Sequence, residues 1–199
     1  MSITKKSILL VFIVLFIDQA SKIYVKLNFQ LGDYVEVFSW FKIYFIENNG
    51  MAFGMEIISK LFLTLFRIVA VVVLCFYIRN LIRKQVNPGY ILTISLVLAG
   101  AAGNILDCLF YGLLFSDSYG HVALFLPAGG GYAGLFYGKV VDMLYFPLIK
   151  NGNGETLFFS PIFNVADSAI SVAVGIILLF FRDEMNQSLE SQKEKNDEN

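Results

Sequence analysis

The chain has 199 residues, of which 57% are hydrophobic and 16% are charged, and its mean hydropathy is +0.67. Soluble domains carry roughly 25% charged residues, so this composition excludes an ordinary water-soluble globule and indicates an integral membrane protein. The formal net charge is −1, from 15 basic and 16 acidic side chains, and gives no positive excess for binding nucleic acid.

Four apolar segments are predicted to cross the membrane as helices, which makes the fold class membrane all-α. Each segment has about 20 residues, the length that an α-helix needs to span a ~30 Å hydrocarbon core. The predicted spans are residues 7–26, 60–79, 89–107 and 162–182. A signal peptide is the alternative for the first, but no small-x-small cleavage site follows Ile17, so we predict an uncleaved anchor.

Basic residues set the predicted orientation. Those flanking the spans are Lys5, Lys6, Arg79, Arg83, Lys84 and Arg182. Because cytoplasmic loops are enriched in Lys and Arg, four spans place both termini in the cytoplasm. Residues 1–182 then form one membrane domain. The polar stretch 183–199 is predicted to be a disordered cytoplasmic tail.

The outer segments, residues 27–59 and 108–161, are predicted to carry a small extracytoplasmic β-cradle. The first has apolar and aromatic residues at alternating positions before a turn-like Asn48-Asn49-Gly50. The second contains a Gly-rich run and then the strand-like stretch 140–146, which Pro147 ends.

Strongly polar residues recur in the outer half of three predicted spans. They form the pairs Asp18/Lys22, Asn104/Asp107 and Asn164/Asp167. Spacings of three or four residues put each pair on one helix face. An ionisable group at such depth costs about 2.5–3.5 kcal/mol even on the gentle insertion scale, so three pairs at one level indicate a shared cavity.

Each pair also has a purely structural interpretation. Asp18 and Lys22 alone would form a neutralising intrahelical pair. Asn164 would cap the fourth helix, and Asp107 would mark the end of the third. Arg67 in the second span is interpreted as snorkelling or structurally paired.

Few kinds of chemistry suit these residues. Gly-x-Ser-x-Gly is absent and the only His, His121, lies in a Gly-rich loop, which weakens a Ser-His mechanism. A Ser–Lys pair using Lys22 is conceivable, although no Ser is clearly placed beside it. The chain lacks the usual His and Cys clusters, so we expect neither a metal nor another cofactor. Two carboxylates that share a proton remain, the arrangement that hydrolyses amides in aspartic proteases.

Five short blocks in order resemble those of the lipoprotein signal peptidases (signal peptidase II). They are Asp18-Gln19-x-x-Lys22, Asn48-x-Gly50-x-Ala52-Phe53, Gly103-Asn104-x-x-Asp107, Val140-Val141-Asp142-Met143 and Phe163-Asn164-x-Ala166-Asp167. Each block alone is weak, but five in order on four predicted spans are specific. The resemblance covers nearly all of residues 5–182.

This resemblance implies an aspartic endopeptidase of the bacterial inner membrane, with Asp142 and Asp167 as the catalytic pair at the outer leaflet. It implies cleavage of prolipoproteins just before the diacylglyceryl-modified Cys. The implied partners are these substrates and membrane lipids, and we expect a monomer. Other family positions are implied to support the catalytic pair or hold the substrate. In this chain they are Asp18, Lys22, Asn48, Gly50, Asn104, Asp107, Asn164 and Ala166.

One departure from the family pattern concerns substrate binding. Where the family continues Asp-Arg, this chain has Asp107-Cys108, so a guanidinium is missing. Lys22 and Lys139 are the candidates to replace its charge, and the depth of Lys22 favours it.

Two non-enzymatic interpretations remain open at this point. A proton-coupled carrier would also need buried Asp and Lys, but carriers usually hold them near the midplane between repeats. A structural or chaperone-like membrane subunit would leave the polar pairs unexplained.

Overall fold

The structure is a computed structural model that describes residues 1–49, 57–150, 156–158 and 161–187. Its helices are α1 (Ile3–Lys26), α2 (Ile57–Arg83), α3 (Pro88–Leu106), α4 (Gly112–Leu114) and α5 (Val165–Phe180), and a π-helical turn (Asp107–Tyr111) joins α3 to α4. Its strands are β1 (Tyr34–Phe38), β2 (Phe41–Asn48), β3 (Val140–Tyr145), β4 (Ile149–Lys150), β5 (Thr156–Phe158) and β6 (Ile162–Phe163).

Three helical stretches are long and apolar enough to cross a membrane: Ile3–Lys26, Lys60–Arg83 and Pro88–Leu114. They correspond to the first three predicted spans, each extended by a few residues. The fourth apolar helix, α5, has 16 residues and is shorter.

The predicted start of the fourth span is wrong. Residues 162 and 163 belong to β6, and the helix begins only after Asn164, which caps it. The error has a simple cause, because a short apolar edge strand and the first turn of an apolar helix have the same hydropathy.

The helix α3 is the centre of the bundle, since α1, α2 and α5 all pack against it. Glycines on α3 allow this close approach. A Cβ added at Gly100 would lie 2.3 Å from the carbonyl oxygen of Ala166 on α5. A Cβ at Gly103 would lie 2.6 Å from Asp18 Oδ2 on α1. Any side chain at either position would therefore push the polar ends of the three helices apart.

The predicted β-cradle is present as a small antiparallel sheet with strand order β1-β2-β3-β6. The register pairs Ile46 with Asp142 and Glu47 with Val141, so β2 fixes the height of β3 along the sheet. A second, two-stranded sheet joins β4 and β5.

One face of the sheet covers a hydrophobic core that continues into the long segment after the π-helical turn. Phe45 from β2 and Phe115 from this segment are both fully buried, and they pack with Val25, Tyr111 and Met143. The segment 108–139 is thereby held against the sheet and the end of α1. In contrast, β1 is exposed along its whole length.

The start of the predicted disordered tail is helical. Residues 182–187 form a helical turn, in which Glu184 accepts a hydrogen bond from Asn87 (3.0 Å) and Met185 packs beside α2 and α3. The predicted tail beyond residue 187 lies outside the described residues.

Candidate active site

Asp142 lies in the middle of β3 with its carboxylate turned towards the helices, and only 2% of the residue is exposed. Asp142 Oδ1 accepts a hydrogen bond from Asn164 Nδ2 at 2.7 Å. Oδ2 accepts a second from Asn48 Nδ2 at 3.3 Å. Asn48 is the last residue of β2, and the strand register brings it to this carboxylate.

Asp167 lies in the first turn of α5 and is half-buried. It forms a capping box with Asn164: the Asn164 side chain accepts from the Asp167 backbone N–H at 2.9 Å, and Asp167 Oδ2 accepts from the Asn164 backbone N–H. Its Oδ1 accepts a hydrogen bond from Asn104 Nδ2 at 2.8 Å. The capping box fixes the position of this carboxylate relative to the helix.

Asn164 connects the two carboxylates. While its oxygen caps α5, its Nδ2 donates to Asp142 and also to Asn104 Oδ1 at 3.0 Å. The structural interpretation of Asn164 as a helix cap is therefore correct, and the same side chain belongs to the polar network as well.

A fully buried ion cluster lies beneath this pair. Lys22 Nζ contacts Asp18 Oδ2 at 2.9 Å, Asp107 Oδ2 at 2.8 Å and Asn104 Oδ1 at 2.9 Å. An ammonium has three N–H donors, so all of them are used inside the protein. Lys22 therefore has no donor left for a substrate, against the expectation that it replaces the missing guanidinium.

The two carboxylates of this cluster also hold backbone in place. Asp18 Oδ1 accepts from the N–H of Ala166 at 2.9 Å, next to Asp167. Asp107 Oδ2 accepts from the N–H of Val141 at 3.3 Å, next to Asp142. Each thus anchors the residue that precedes one member of the pair.

Nine of the predicted site residues are in this way joined in one hydrogen-bonded network. They are Asp18, Lys22, Asn48, Asn104, Asp107, Asp142, Asn164, Ala166 and Asp167. The tenth, Gly50, lies outside the described residues, as do Ala52 and Phe53 of the same block. The roles assigned to these residues stay predictions.

Gln19 is a member of the network to which the sequence assigned no role. Its Nε2 donates to Asp107 Oδ1 at 2.9 Å and to Asp18 Oδ2 at 3.1 Å, and its Oε1 accepts from Tyr111 at 3.2 Å. Its position inside the Asp18-Gln19-x-x-Lys22 block was the available signal.

A second buried ion cluster, also missed from sequence, lies at the C-terminal end of α1. Glu47, whose side chain is 2% exposed, pairs with Lys26 and with Lys139 (3.1 Å). Lys26 is fully buried and also donates to Ser118 at 3.0 Å, among the rings of Phe45, Phe115 and Tyr132. Lys139 is thus occupied by Glu47, so the second candidate for the missing charge is also paired.

Arg67 brings a guanidinium to the side chain of Cys108, the residue at which the family sequence pattern has Arg. Its Nη1 donates to Cys108 Sγ at 3.4 Å, from α2 rather than from the residue after Asp107. One turn earlier on α2, Thr64 donates to the carbonyl of Phe136 at 3.2 Å and fixes this helix against the segment before β3. Of the two interpretations of Arg67, snorkelling or a structural pair, the contact with Cys108 corresponds to the second.

The charge state of the pair follows from its surroundings. Burial, reinforced by the neighbouring Asp167 carboxylate, raises the pKa of Asp142 from 3.8 to about 7, although hydrogen bonds from Asn164 and Asn48 act the other way. The Asp142 side chain therefore stays protonated between about pH 4 and about pH 7, where a carboxylic acid with the ordinary pKa of 3.8 is ionised. Among the described residues, no group of three or more His, Cys, Asp or Glu is arranged to hold a metal ion.

A family model described as signal peptidase (SPase) II matches residues 10–182. The chain belongs to the signal peptidase II family. It is an aspartic protease that removes signal peptides from prolipoproteins, and a multi-pass bacterial membrane protein.

Two relatives and two solved structures agree with this membership. A lipoprotein signal peptidase of Porphyromonas gingivalis (strain ATCC 33277) is 43% identical over 92% of this chain and 86% of its own length. One of Amoebophilus asiaticus (strain 5a2) is 34% identical over 87% of this chain and 76% of its own. Two structures of a bacterial membrane enzyme, solved in meso at 1.9 and 2.3 Å resolution, share 25% and 26% identity with this signal peptidase II homologue. Their TM-scores are 0.61 and 0.60, over 88% and 92% of this chain and 91% of each solved chain.

Proposed function

We propose that Asp142 and Asp167 are the catalytic dyad and that they cleave prolipoproteins just before the diacylglyceryl-modified Cys. The observation that carries this proposal is that Asn164 contacts both carboxylates: its carboxamide donates to Asp142 and its backbone N–H donates to Asp167. Its carboxamide oxygen also accepts from the Asp167 backbone N–H, so one residue ties β3 to α5. A dyad needs two carboxylates in one site with different proton affinities, and the raised pKa of Asp142 supplies that difference.

The mechanism follows from which carboxylate holds the proton. The Asp167 carboxylate takes a proton from water as the water oxygen attacks the scissile carbonyl carbon, while Asp142 donates its proton to the carbonyl oxygen. The tetrahedral intermediate then collapses: the hydroxyl proton returns to Asp142, and Asp167 protonates the leaving amine of the Cys. Water enters and an acid and an amine leave, so the dyad ends in its starting state.

The buried ion cluster supports the dyad without contacting substrate. Asp18 and Asp107 anchor the backbone on either side of the site, and Lys22 balances part of their charge. We assign substrate contact instead to Arg67, whose side chain is half-buried beside Cys108. A guanidinium there suits the carbonyl oxygens of a substrate backbone or of its ester-linked acyl chains.

The proposed topology has four spans, both termini in the cytoplasm and the dyad at the outer leaflet. In support, the basic residues gather at the end of the bundle opposite the polar network, and the exposed aromatic strand β1 lies on the network's side. The helix α5 covers only ~24 Å at 1.5 Å per residue, and β6 lies at its outer end. Both members of the dyad come from one chain, which favours a monomer.

Thiol labelling from each side of the membrane tests this orientation. A Cys at Gln30 or Tyr119 is expected to react from outside, and a Cys at Gln85 or Gln192 only from inside. Reaction of the Gln85 position from outside would invert the protein and move the dyad to the cytoplasmic leaflet.

The cleavage proposal is tested with purified protein and a synthetic lipobox peptide that carries a diacylglyceryl-modified Cys. The same peptide with an unmodified Cys is the control. We expect a single cut before the modified Cys, unaffected by a metal chelator. Cleavage at another bond, or equal cleavage of both peptides, would contradict the proposed substrate.

A further inference from the structure

A groove on the membrane-facing surface lies far from the dyad, between the first half of α1 and the last turns of α2. Both helices pack against α3, which forms the floor, and they enclose about 490 Å³. The volume falls within the range of small-molecule binding sites. Its apolar walls include Val11, Phe12 and Leu15. Ser7 at its end lies ~22 Å along α1 from Lys22, so this groove is separate from the polar network.

One buried polar group in the groove has no partner. Ser7 is 5% exposed, and its hydroxyl is the only buried side-chain oxygen or nitrogen among the described residues that makes no hydrogen bond. A serine inside a helix usually donates to the carbonyl four residues earlier, and buried hydroxyls are rarely left unsatisfied. The lone hydroxyl therefore points to a ligand oxygen at this position.

Two guanidinium groups complete the same groove. Arg79 and Arg83 lie one turn apart near the end of α2, and both line it. Both are exposed, and neither pairs with a carboxylate in the part of the chain that the structure describes. Two neighbouring guanidiniums above an apolar slot match a phosphate attached to an acyl chain.

We propose that this groove binds one anionic phospholipid. Its phosphate lies between Arg79 and Arg83, an ester or glycerol oxygen accepts the hydrogen bond of Ser7, and an acyl chain follows Val11 and Leu15 along α1. On the orientation proposed above, this lipid belongs to the cytoplasmic leaflet, whose anionic lipids attract basic side chains at span ends.

Charge distinguishes this lipid from other occupants. The signal peptide of a substrate begins with a positively charged region, which the two arginines would repel. A second copy of this chain would bring its own Lys5 and Lys6 to the same end of the bundle, with the same repulsion. A zwitterionic lipid fills the apolar slot but carries a cation next to its phosphate.

Native mass spectrometry of the full chain in detergent tests the proposal. The probes are phosphatidylglycerol and phosphatidylcholine with identical acyl chains. We expect the protein to retain phosphatidylglycerol about tenfold more tightly than phosphatidylcholine, which is the effect of one charge-assisted interaction. The double variant Arg79→Gln/Arg83→Gln is expected to lose this preference, and Ser7→Ala to weaken retention of both lipids severalfold.

The matched control is Lys84→Gln/Arg182→Gln, which removes the same charge at the same end of the bundle but outside the groove. We expect it to change retention by less than about twofold. Cleavage of the diacylated peptide by all these variants in detergent is expected to stay normal and shows that they are folded. Failure of the wild type to cleave the peptide would count against the proposed function. The lipid measurement does not depend on cleavage, so it would still test the lipid site.

Four results would overturn the lipid site. The first is equal retention of the two lipids by the wild type. The second is an equal loss of lipid preference in the control variant Lys84→Gln/Arg182→Gln, which would show that the preference depends only on the overall charge of the protein. The third is photo-crosslinking from position 11 to the substrate's signal peptide, which would make the groove a substrate channel. Glycerol phosphate without acyl chains is expected not to compete at millimolar concentration, and effective competition would show that the slot plays no part.

Discussion

Replacing Asp142 by Asn removes one carboxylate of the proposed dyad and, at the same time, a buried acid that resists ionisation. We therefore expect opposite effects on activity and on stability. Activity falls by at least about a hundredfold, because an amide cannot supply the proton of a general acid. Stability relative to the wild type depends on pH.

The size of this pH-dependent change in stability follows from the pKa of Asp142, which is about 7 in the folded protein and ordinarily 3.8. The folded protein holds this proton more tightly than the unfolded chain, so the wild type loses stability as pH rises from about 4 to about 7. At about 1.4 kcal/mol per pKa unit, the full loss is about 4 kcal/mol above pH 7. The amide side chain of the Asp142→Asn variant cannot ionise, so the variant escapes this loss.

The substitution Asp142→Asn also destabilises the folded protein, because it removes a hydrogen-bond acceptor. Asn164 and Asn48 both donate to the Asp142 carboxylate, and an amide accepts only through its oxygen, so one donor loses its partner. A buried unsatisfied donor costs about 1–3 kcal/mol. The variant should therefore be less stable than the wild type at pH 4 by this amount, and more stable at pH 8 by about 1–3 kcal/mol.

Unfolding of both proteins in the same detergent, monitored at several pH values between 4 and 8, measures this crossover. Gly175→Ala is a suitable control, because a Cβ at Gly175 meets no atom within 4 Å. A stability difference that does not change with pH would refute the assignment of the proton to Asp142. In the wild type, kcat/KM is expected to fall as pH rises above about 7, when that proton is lost.

Three further predictions concern the residues around the dyad. Lys22→Met leaves two buried carboxylates without their cation and should lower the free energy of unfolding by about 3–5 kcal/mol, measured by thermal unfolding. Arg67→Ala should raise KM about 10- to 100-fold with little change in kcat, whereas Cys108→Ala should change KM and kcat by less than about twofold. Steady-state kinetics measure both variants, and a larger effect of Cys108→Ala than of Arg67→Ala would assign a role to the thiol. Gly103→Ala should displace Asp18 and lower kcat, whereas Gly175→Ala should not, and equal activity of the two variants would contradict the close packing of α1 on α3.

Much of the network could be predicted because its members lie in short blocks with helical spacing. Asp18/Lys22 and Asn164/Asp167 face one side of their helices, and the polar level they share predicted that they lie together. The arrangement within the network could not be predicted in this way. That Lys22 uses all its donors on Asp18, Asp107 and Asn104 depends on how three helices approach one another, which small residues on α3 decide.

The contacts missed from sequence join residues far apart in the chain. Arg67 meets Cys108 across 41 residues, and Glu47 meets Lys139 across 92. No periodicity within one segment predicts such pairs, so a lone Arg in an apolar helix could be interpreted only as snorkelling or structurally paired, with no partner named. The start of the fourth span was misplaced for a related reason, since only the partner strand β3 makes residues 162 and 163 a strand.

The most direct test of the proposed dyad is cleavage of the diacylated lipobox peptide by Asp142→Asn and by Asp167→Asn. Both variants are purified in detergent and shown to be folded by their unfolding transitions. We expect that neither variant releases the signal peptide above the rate without enzyme, while Gly175→Ala cleaves normally. Near-normal turnover by either folded Asp variant would contradict the dyad and require another source of the activated water.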